Sequence, residues 1–273
     1  MTKACSTSKP YVLYRDSVLF GTSELDAIEA VLPATLHVES IPSNSVVFPR
    51  YRSLPFGEQL DEAVRESGSR LVNSWEQYRY VSNLFAWVSD LGDLTPPAYR
   101  VGDKLPEGEY FIKGVTNSEK HEWKTSAFAE NLDAVPGIIE NLRRHPVIGN
   151  QELVIRPFVR YRELAVQDSS QPVFNEHRVF VLNGKVMATG FYWMSQRHLF
   201  NFSDTVPLDQ AKFQNAIDAV IERIDGKVNF VVIDLAEKTD GSWQVIELND
   251  GNMSGLTGVD PVTLWKAIAQ HYA

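Results

Sequence analysis

Three oxygen-bearing side chains lie close together near the end of the sequence, in a pattern that predicts a hairpin. The stretch NFVVIDLAEKTDGSWQVIELND (residues 229–250) has two apolar segments separated by Asp240-Gly241, which favours a tight turn. With that dipeptide at the centre, Asp234 lies opposite Glu247 and Val232 lies opposite Asn249. Opposed residues share a face of a sheet. One face therefore collects Asp234, Glu247 and Asn249, and the other collects aliphatic residues, namely Val231, Ile233, Leu235, Ile246 and Leu248.

This polar face predicts a metal site. Carboxylates side by side repel each other, so their arrangement favours a bound cation. Short oxygen ligands suit Mg²⁺, or Mn²⁺ in its place, with a phosphate completing the coordination shell. The alternative is a surface hairpin whose polar face meets water.

Cationic side chains in three other segments are candidates for binding an anion. Lys113 closes the predicted strand YFIK and precedes a loop of small residues, so its ammonium group could reach a phosphate; Lys120 follows in the same loop. A second hairpin, centred on Asn183-Gly184, places Glu176 and Arg178 on a mostly apolar face. Arg178 is then either half of a buried ion pair or an anion-binding residue. For Lys113 the alternative is an ordinary lysine at a strand end.

Arg156 stands in the middle of the aliphatic strand LVIRPFV. A charge in that position is costly unless a partner neutralises it. The six histidines have no metal-ligand spacing, and no Ser, His and Asp arrangement indicates a nucleophile.

The composition of the whole chain limits the classes of function. The chain has 273 residues and a net charge of −9, which disfavours general binding to nucleic acids or anionic membranes. No apolar run reaches the roughly 20 residues of a membrane span, and the N-terminus lacks the apolar core of a signal peptide. Cys5 is the only cysteine, so an intramolecular disulfide is impossible and a zinc cluster is disfavoured. We therefore expect a cytoplasmic protein.

The spacing of apolar and turn residues predicts two domains. A helix is expected to begin at Ser74, where Ser74 and Gln77 form a capping box, and to continue to Leu91. Thr95-Pro96-Pro97 then ends the helix. The boundary is placed there, between an α/β domain of residues 1–94 and a β-rich domain of residues 95–273. Further helices are expected at about 209–224 and after Asp260-Pro261.

The order of these elements resembles the ATP-grasp superfamily. A strand ending in lysine (YFIK) is followed by LVIRPFV, an E-x-R-x-F-V hairpin, a helix and finally D-x(12)-E-x-N. The resemblance covers roughly residues 96–258. The lysine pair and the arginine are most similar to a phage and bacterial clade of the superfamily. The implied fold class is α+β: two β-containing subdomains (about 98–152, the lid, and 153–273, the metal-bearing subdomain) that hold ATP between them, preceded by the α/β domain.

The resemblance also implies roles for single residues. Asp234, Glu247 and Asn249 would bind Mg²⁺ ions on the ATP phosphates, and Lys113, with Lys120, would contact those phosphates. Arg178 would stabilise the transferring phosphate. The strand with Arg156 would hold adenine through the backbone of its last residues, which are Pro157, Phe158 and Val159, and Glu163 would bind the ribose.

The implied activity is that of an ATP-dependent ligase. It would join a carboxylate to an amine through an acyl-phosphate, with a small molecule, amino acid or peptide as substrate. Two alternatives remain open from the sequence, namely a kinase on the same scaffold with a hydroxyl acceptor and a non-catalytic nucleotide-binding module. The sequence leaves the oligomeric state open.

Overall fold

We describe the chain from a computed structural model, over residues 9–15, 22–116, 118 and 123–273. Within these ranges three four-stranded sheets and a two-stranded ribbon are connected by helices. None of the helices described has both the length and the apolar character required to cross a membrane.

The first sheet is parallel and has the strand order β2-β1-β3-β4. Its strands are β1 (Lys9–Tyr14), β2 (Ala34–Thr35), β3 (Ser45–Arg50) and β4 (Arg70–Leu71), and its connecting helices are α1 (Thr22–Glu29) and α2 (Gly57–Glu66). All six residues of β3 are buried, as expected for a central strand covered on both faces.

The second sheet is antiparallel, with the order β5-β8-β6-β7, and we call it the lid sheet. It consists of β5 (Tyr99–Arg100), β6 (Tyr110–Gly114), β7 (Phe128–Ala129) and β8 (Leu153–Pro157); α5 (Trp123–Ser126) and α6 (Val135–Arg144) accompany it. One face packs on α6 in a core of its own, which includes Ile112, Ile138, Leu142 and Ile155.

The third sheet is antiparallel, with the order β12-β11-β13-β14, and we call it the floor sheet. It consists of β11 (Glu176–Leu182), β12 (Lys185–Phe191), β13 (Phe230–Glu237) and β14 (Trp243–Asp250), preceded by the ribbon of β9 (Glu163–Val166) and β10 (Pro172–Phe174). Helix α7 (Gln210–Arg223) covers one face. The other face packs on α8 (Pro261–His271) and on the N-terminal sheet.

Both predicted hairpins form, but each contains a bulge that shifts part of its register. In the β13–β14 pair, Asp234 lies opposite Glu247 and Val232 opposite Asn249, as predicted. Beyond Asp234 the register shifts, so Leu235 pairs with Val245. The prediction that Ile246 joins the aliphatic face is therefore wrong, because Ile246 is the additional residue of the bulge and Val245 takes its place in the core.

A bulge also shifts the register of the hairpin at Asn183-Gly184. Both turn residues have positive φ angles (49° and 74°), as a type I′ turn requires. A bulge then moves Arg178 opposite Gly190, where the simple register predicts Thr189.

The predicted helix from Ser74 to Leu91 is two helices, α3 (Trp75–Ser82) and α4 (Leu84–Leu91). The capping box of Ser74 and Gln77 is present. Asn83 then adopts an extended backbone, and its side chain accepts a hydrogen bond from the Phe85 N–H, so it begins a second helix. Both helices pack on the core between the floor sheet and α7. The domain boundary at residue 95 stays a prediction.

Gly190 allows the chain to cross itself near the end of the floor sheet. A Cβ at this position would overlap the backbone of Gly258 and Val259. A Cβ on Gly137, in α6, would point into open space.

We expect Gly190→Ala to lower the free energy of unfolding by about 1–3 kcal/mol, because backbone atoms must move to admit the methyl group. Gly137→Ala is the matched control and should raise it by about 0.4–1 kcal/mol through the smaller entropy of the unfolded chain. Urea denaturation of both variants measures the difference. Equal changes in unfolding free energy for the two variants would contradict the close backbone contact at Gly190.

His177 points to the α7 side of the floor sheet, where it packs against the rings of Phe213 and Trp243. Burial lowers its pKa, although the hydrogen bond between Nε2 and the Thr205 carbonyl, 3.0 Å long, opposes the shift. His177 therefore binds a proton less readily in the folded protein than in the unfolded chain.

Stability should consequently fall as the pH drops through about 6.5, the ordinary pKa of histidine. His177→Gln should reduce this loss, measured as the difference in unfolding free energy between about pH 8 and pH 5.5. His198→Gln, at an exposed position, should retain the wild-type pH dependence. If His177→Gln also retains the wild-type pH dependence, the burial of His177 does not oppose its protonation.

Candidate functional site

Glu247 lies at the centre of the predicted site. Its carboxylate forms an ion pair with the Lys113 ammonium group, which projects from β6 of the lid sheet. The Asn249 side-chain nitrogen lies 3.3 Å from Glu247 Oε2 and 3.3 Å from Asp234 Oδ2. The structure therefore brings together Lys113, Asp234, Glu247 and Asn249, as the sequence predicts.

Arg178 and Asp234 form a buried bidentate ion pair on adjacent strands. Arg178 Nε lies 2.8 Å from Asp234 Oδ1, and Nη2 lies 2.7 Å from Oδ2. Burial would lower the pKa of Arg178, but the charge and hydrogen bonds of Asp234 outweigh it and raise the pKa. Nη1 donates to the Gly255 carbonyl (2.6 Å), and the Tyr192 ring lies 4.9 Å from the guanidinium carbon. Arg178 thus joins the metal-site cluster and the loop after β14.

The sequence suggested Glu176 as the nearest acidic partner of Arg178, but the strand pairing brings Asp234 opposite it instead. Glu176 is buried and accepts a hydrogen bond of 2.8 Å from the Trp193 indole.

Arg156 is buried without a carboxylate among its hydrogen-bond acceptors. Its guanidinium donates to the carbonyls of Ile246 (2.7 Å) and Pro96 (2.7 Å) and to the Thr95 hydroxyl (2.6 Å). Burial lowers its pKa to about 10, and the charges of Tyr161 and Glu247 offset part of that shift. Arg156 therefore connects β8, the segment before β5 and the bulge of β14.

Two cavities meet at Glu247, which lines both. The first, of about 110 Å³, has an aromatic wall and polar groups at one end, including Lys113, Arg156 and Glu247. The aromatic wall is formed by Phe111, Trp123, Phe158, Tyr161, Phe174, Tyr192 and Trp193. The second cavity, of about 330 Å³, is more polar and is lined by residues that include Arg52, Tyr78, Arg178, Asn249 and Asp250. We call them the aromatic cavity and the polar cavity.

The predicted binding residues differ in their relation to these cavities. Pro157, Phe158 and Val159 line the aromatic cavity together with Arg156. Glu163 has an exposed side chain and lines a neighbouring cavity, which shares Trp123 and Phe158 with the aromatic cavity. Lys120 lies outside the described residues.

Several residues of the site were missed in the sequence. The aromatic side chains come from five separate segments, and among them only Phe158 was a predicted binding residue. Arg50 was also missed. It forms a buried ion pair with Glu24 (2.8 Å) and donates to the carbonyls of Gly251 (3.2 Å) and Asn252 (2.6 Å). The N-terminal sheet thereby holds the loop that follows β14.

Asp250, at the end of β14, is a further buried acid of the polar cavity. Burial raises its pKa to about 6, against the opposing effect of hydrogen bonds from Asn73, Met253 and Asn252.

The donor set fits a divalent cation. The Asn249 amide nitrogen, a positively polarised donor, occupies the point between the Asp234 and Glu247 carboxylates. Rotation of the amide presents its oxygen there instead, and two carboxylates with an amide oxygen form a ligand set that suits Mg²⁺. Within the described ranges, no three His, Cys, Asp or Glu side chains are grouped to hold a metal.

Comparison with protein families identifies the class of the protein. A model described as an ATP-grasp domain, family 3 of the R-2K clade, matches residues 100–268. The chain therefore belongs to this ATP-grasp family, which confirms the resemblance noted in its sequence. No curated protein sequence matches the chain.

Solved structures share the fold at low sequence identity. D-cycloserine synthetase DcsG has a TM-score of 0.61 at 15% identity, over 97% of this chain and 100% of that chain. D-alanine–D-alanine ligase from Bacillus anthracis, complexed with ATP, has a TM-score of 0.61 at 11% identity, over 97% of each chain. ATP-grasp ligase PsnB, with a precursor variant, Mg and ADP, has a TM-score of 0.56 at 14% identity, over 100% of this chain and 99% of that chain. The α+β ATP-grasp fold predicted from the sequence is confirmed.

Removal of the arginine from the Arg178–Asp234 pair leaves Asp234, only 1% exposed, without its charged partner. We expect Arg178→Met to lower the unfolding free energy by about 3–5 kcal/mol. Arg223→Met removes the partner of Asp93 in an exposed pair and should cost less than about 1 kcal/mol. Chemical denaturation without ligands measures both variants. A small effect at Arg178 would contradict a tightly paired, desolvated Asp234.

Proposed function

We propose that the protein is an ATP-dependent ligase that joins a carboxylate to an amine through an acyl-phosphate. The observation that carries this proposal is the position of Glu247, whose carboxylate lines both cavities. A nucleotide in the aromatic cavity would have its phosphates next to a second cavity large enough for an acceptor.

The aromatic cavity suits the base of ATP. Aromatic rings offer flat apolar surfaces to a purine, and β8 reaches the cavity with the strand end formed by Pro157, Phe158 and Val159. Lys113 lies at the polar end, where its ammonium group would meet the phosphates. Glu163 lines the neighbouring cavity, which shares Trp123 and Phe158 with the aromatic cavity, so its contact with the ribose stays a prediction.

The metal ligands would be Glu247, Asn249 and Asp234, with Mg²⁺ as the cation. Asp234 would act as a metal ligand while it stays paired with Arg178, which donates to both of its carboxylate oxygens. Bound Mg²⁺ would neutralise phosphate charge as it develops. Lys113 and Arg178 add two fixed positive charges beside the same carboxylates.

The polar cavity would hold the substrates to be joined. A substrate carboxylate oxygen attacks the γ-phosphorus of ATP, the bond to the bridging oxygen breaks and ADP leaves. The amine nitrogen then attacks the acyl carbon, the C–O bond to phosphate breaks, and inorganic phosphate and the amine proton are released. Arg178 faces this cavity and would stabilise the phosphate in both steps. The chain acts mainly by positioning and charge, which agrees with the lack of an obvious nucleophile.

Mass spectrometry of reactions that contain ATP, Mg²⁺ and the small-molecule fraction of a cell extract tests the reaction class. We expect ADP, phosphate and a product with a new amide bond. Hydroxylamine added in place of the amine should trap the acyl-phosphate as a hydroxamate. A stable phosphorylated product without amide formation would instead identify a kinase.

Glu247→Gln should lower Mg²⁺-dependent ADP release at least about 100-fold, because it removes a charged metal ligand while preserving the volume of the side chain. A coupled ADP assay at several Mg²⁺ concentrations measures the loss. Glu222→Gln, at an exposed position of α7, is the matched control and should behave as wild type. Unchanged turnover in Glu247→Gln would overturn the metal assignment.

A further inference from the structure

The β14 bulge lies directly before Glu247, and groups outside the sheet hold both of its carbonyls. The Val245 carbonyl accepts a hydrogen bond of 2.9 Å from the Thr95 hydroxyl. The Ile246 carbonyl accepts one of 2.7 Å from Arg156 Nη1. A bulge interrupts the regular ladder of a strand, so its conformation depends on such additional contacts.

Thr95 and Arg156 act as one unit, which we call the bulge clamp. Arg156 Nη2 donates to the Thr95 hydroxyl at 2.6 Å, and that hydroxyl in turn donates to Val245. The same Nη2 atom also donates to the Pro96 carbonyl at 2.7 Å. The clamp therefore connects three segments: β8 of the lid sheet, the entry to that sheet at Thr95 and Pro96, and the metal-bearing strand.

The environment of Arg156 makes its burial costly for the stability of the fold. The residue is only 6% exposed, and the acceptors it contacts are two carbonyls and a hydroxyl. Its Nε atom is buried without a hydrogen-bond partner among the described residues. A desolvated cation with neutral acceptors and one unsatisfied donor is costly, and an apolar side chain would avoid that cost.

We propose that Thr95 and Arg156 are positioning residues that set the orientation of Glu247 for Mg²⁺ by holding the bulge before it. The inference rests on the proposed nucleotide and metal site. Because Arg156 belongs to β8, whose end lines the aromatic cavity, the clamp links the strand beside the base to the metal ligand. Loss of the clamp would therefore weaken the contribution of Mg²⁺ to nucleotide binding more than it weakens base binding.

Isothermal titration with ATP, once in MgCl₂ and once in EDTA, tests this link. Thr95→Val keeps the shape of the side chain and removes the hydroxyl. We expect it to reduce the gain in ATP affinity that Mg²⁺ provides by about tenfold, with the affinity in EDTA unchanged. Thr95→Ser keeps the hydroxyl and should restore the wild-type gain. A purely structural role would lower both affinities together, or lower only the melting temperature.

Arg156→Lys provides a second test that is independent of Thr95. It keeps the positive charge but loses the planar guanidinium that reaches three acceptors at once. We expect the gain in ATP affinity that Mg²⁺ provides to fall here as well, whatever the change in EDTA affinity, since Arg156 also lines the aromatic cavity. Equal weakening in MgCl₂ and EDTA, or wild-type behaviour in both clamp variants, would overturn the inference. Wild-type protein that binds ATP equally with and without Mg²⁺ would refute the metal assignment, and the inference with it. Wild-type protein that binds no ATP would refute the proposed function itself.

Discussion

Two carboxylates face each other on one small area of the floor sheet, and the rest of the site depends on how their repulsion is balanced. Asp234 and Glu247 are directly opposed in the register, where like charges destabilise a sheet. Each is paired with a cation from a different element: Arg178 of β11 for Asp234, and Lys113 of the lid sheet for Glu247. The two acids are therefore compatible only in a chain that brings these distant segments together.

The same charged groups also take part in the contacts between the sheets. The lid sheet has its own apolar core on α6, and it meets the floor sheet both through Val154 of β8, which packs in the core of the floor sheet and α7, and through the Lys113–Glu247 ion pair and the hydrogen bonds of Arg156. The N-terminal sheet shares a core with the floor sheet and α8. The lid and floor sheets are therefore joined by apolar and polar contacts together, and the polar contacts centre on β14.

The sequence predicted interactions that depend on local spacing and missed those that depend on distant segments. The simple register centred on Asp240-Gly241 gave the correct pairing of Asp234 with Glu247, although the residues next to the turn pair one position away from it and only the bulge at Ile246 restores it. The bulge was not predicted, since Val245 and Ile246 are adjacent and both apolar, and either could continue the aliphatic face. The sequence pattern assigned Ile246 to the aliphatic face, yet its carbonyl accepts a hydrogen bond from Arg156. The Arg178 partner was misjudged for a related reason, because Glu176 is near in sequence and Asp234 is near only across strands. The aromatic cavity draws on five separate segments and could not be assembled from spacing.

Arg50 holds the loop after β14 through the carbonyls of Gly251 and Asn252, and not through their side chains. Every residue type has a carbonyl, so mutations in this loop can change side chains without removing the anchor, except at Gly251, where a Cβ would overlap the Phe230 ring. The loop borders the polar cavity, in which Met253, Ser254 and Gly255 are lining residues. The side chains of Met253 and Ser254 can therefore change, and with them the chemistry of this cavity wall, while Arg50 keeps the backbone path of the loop.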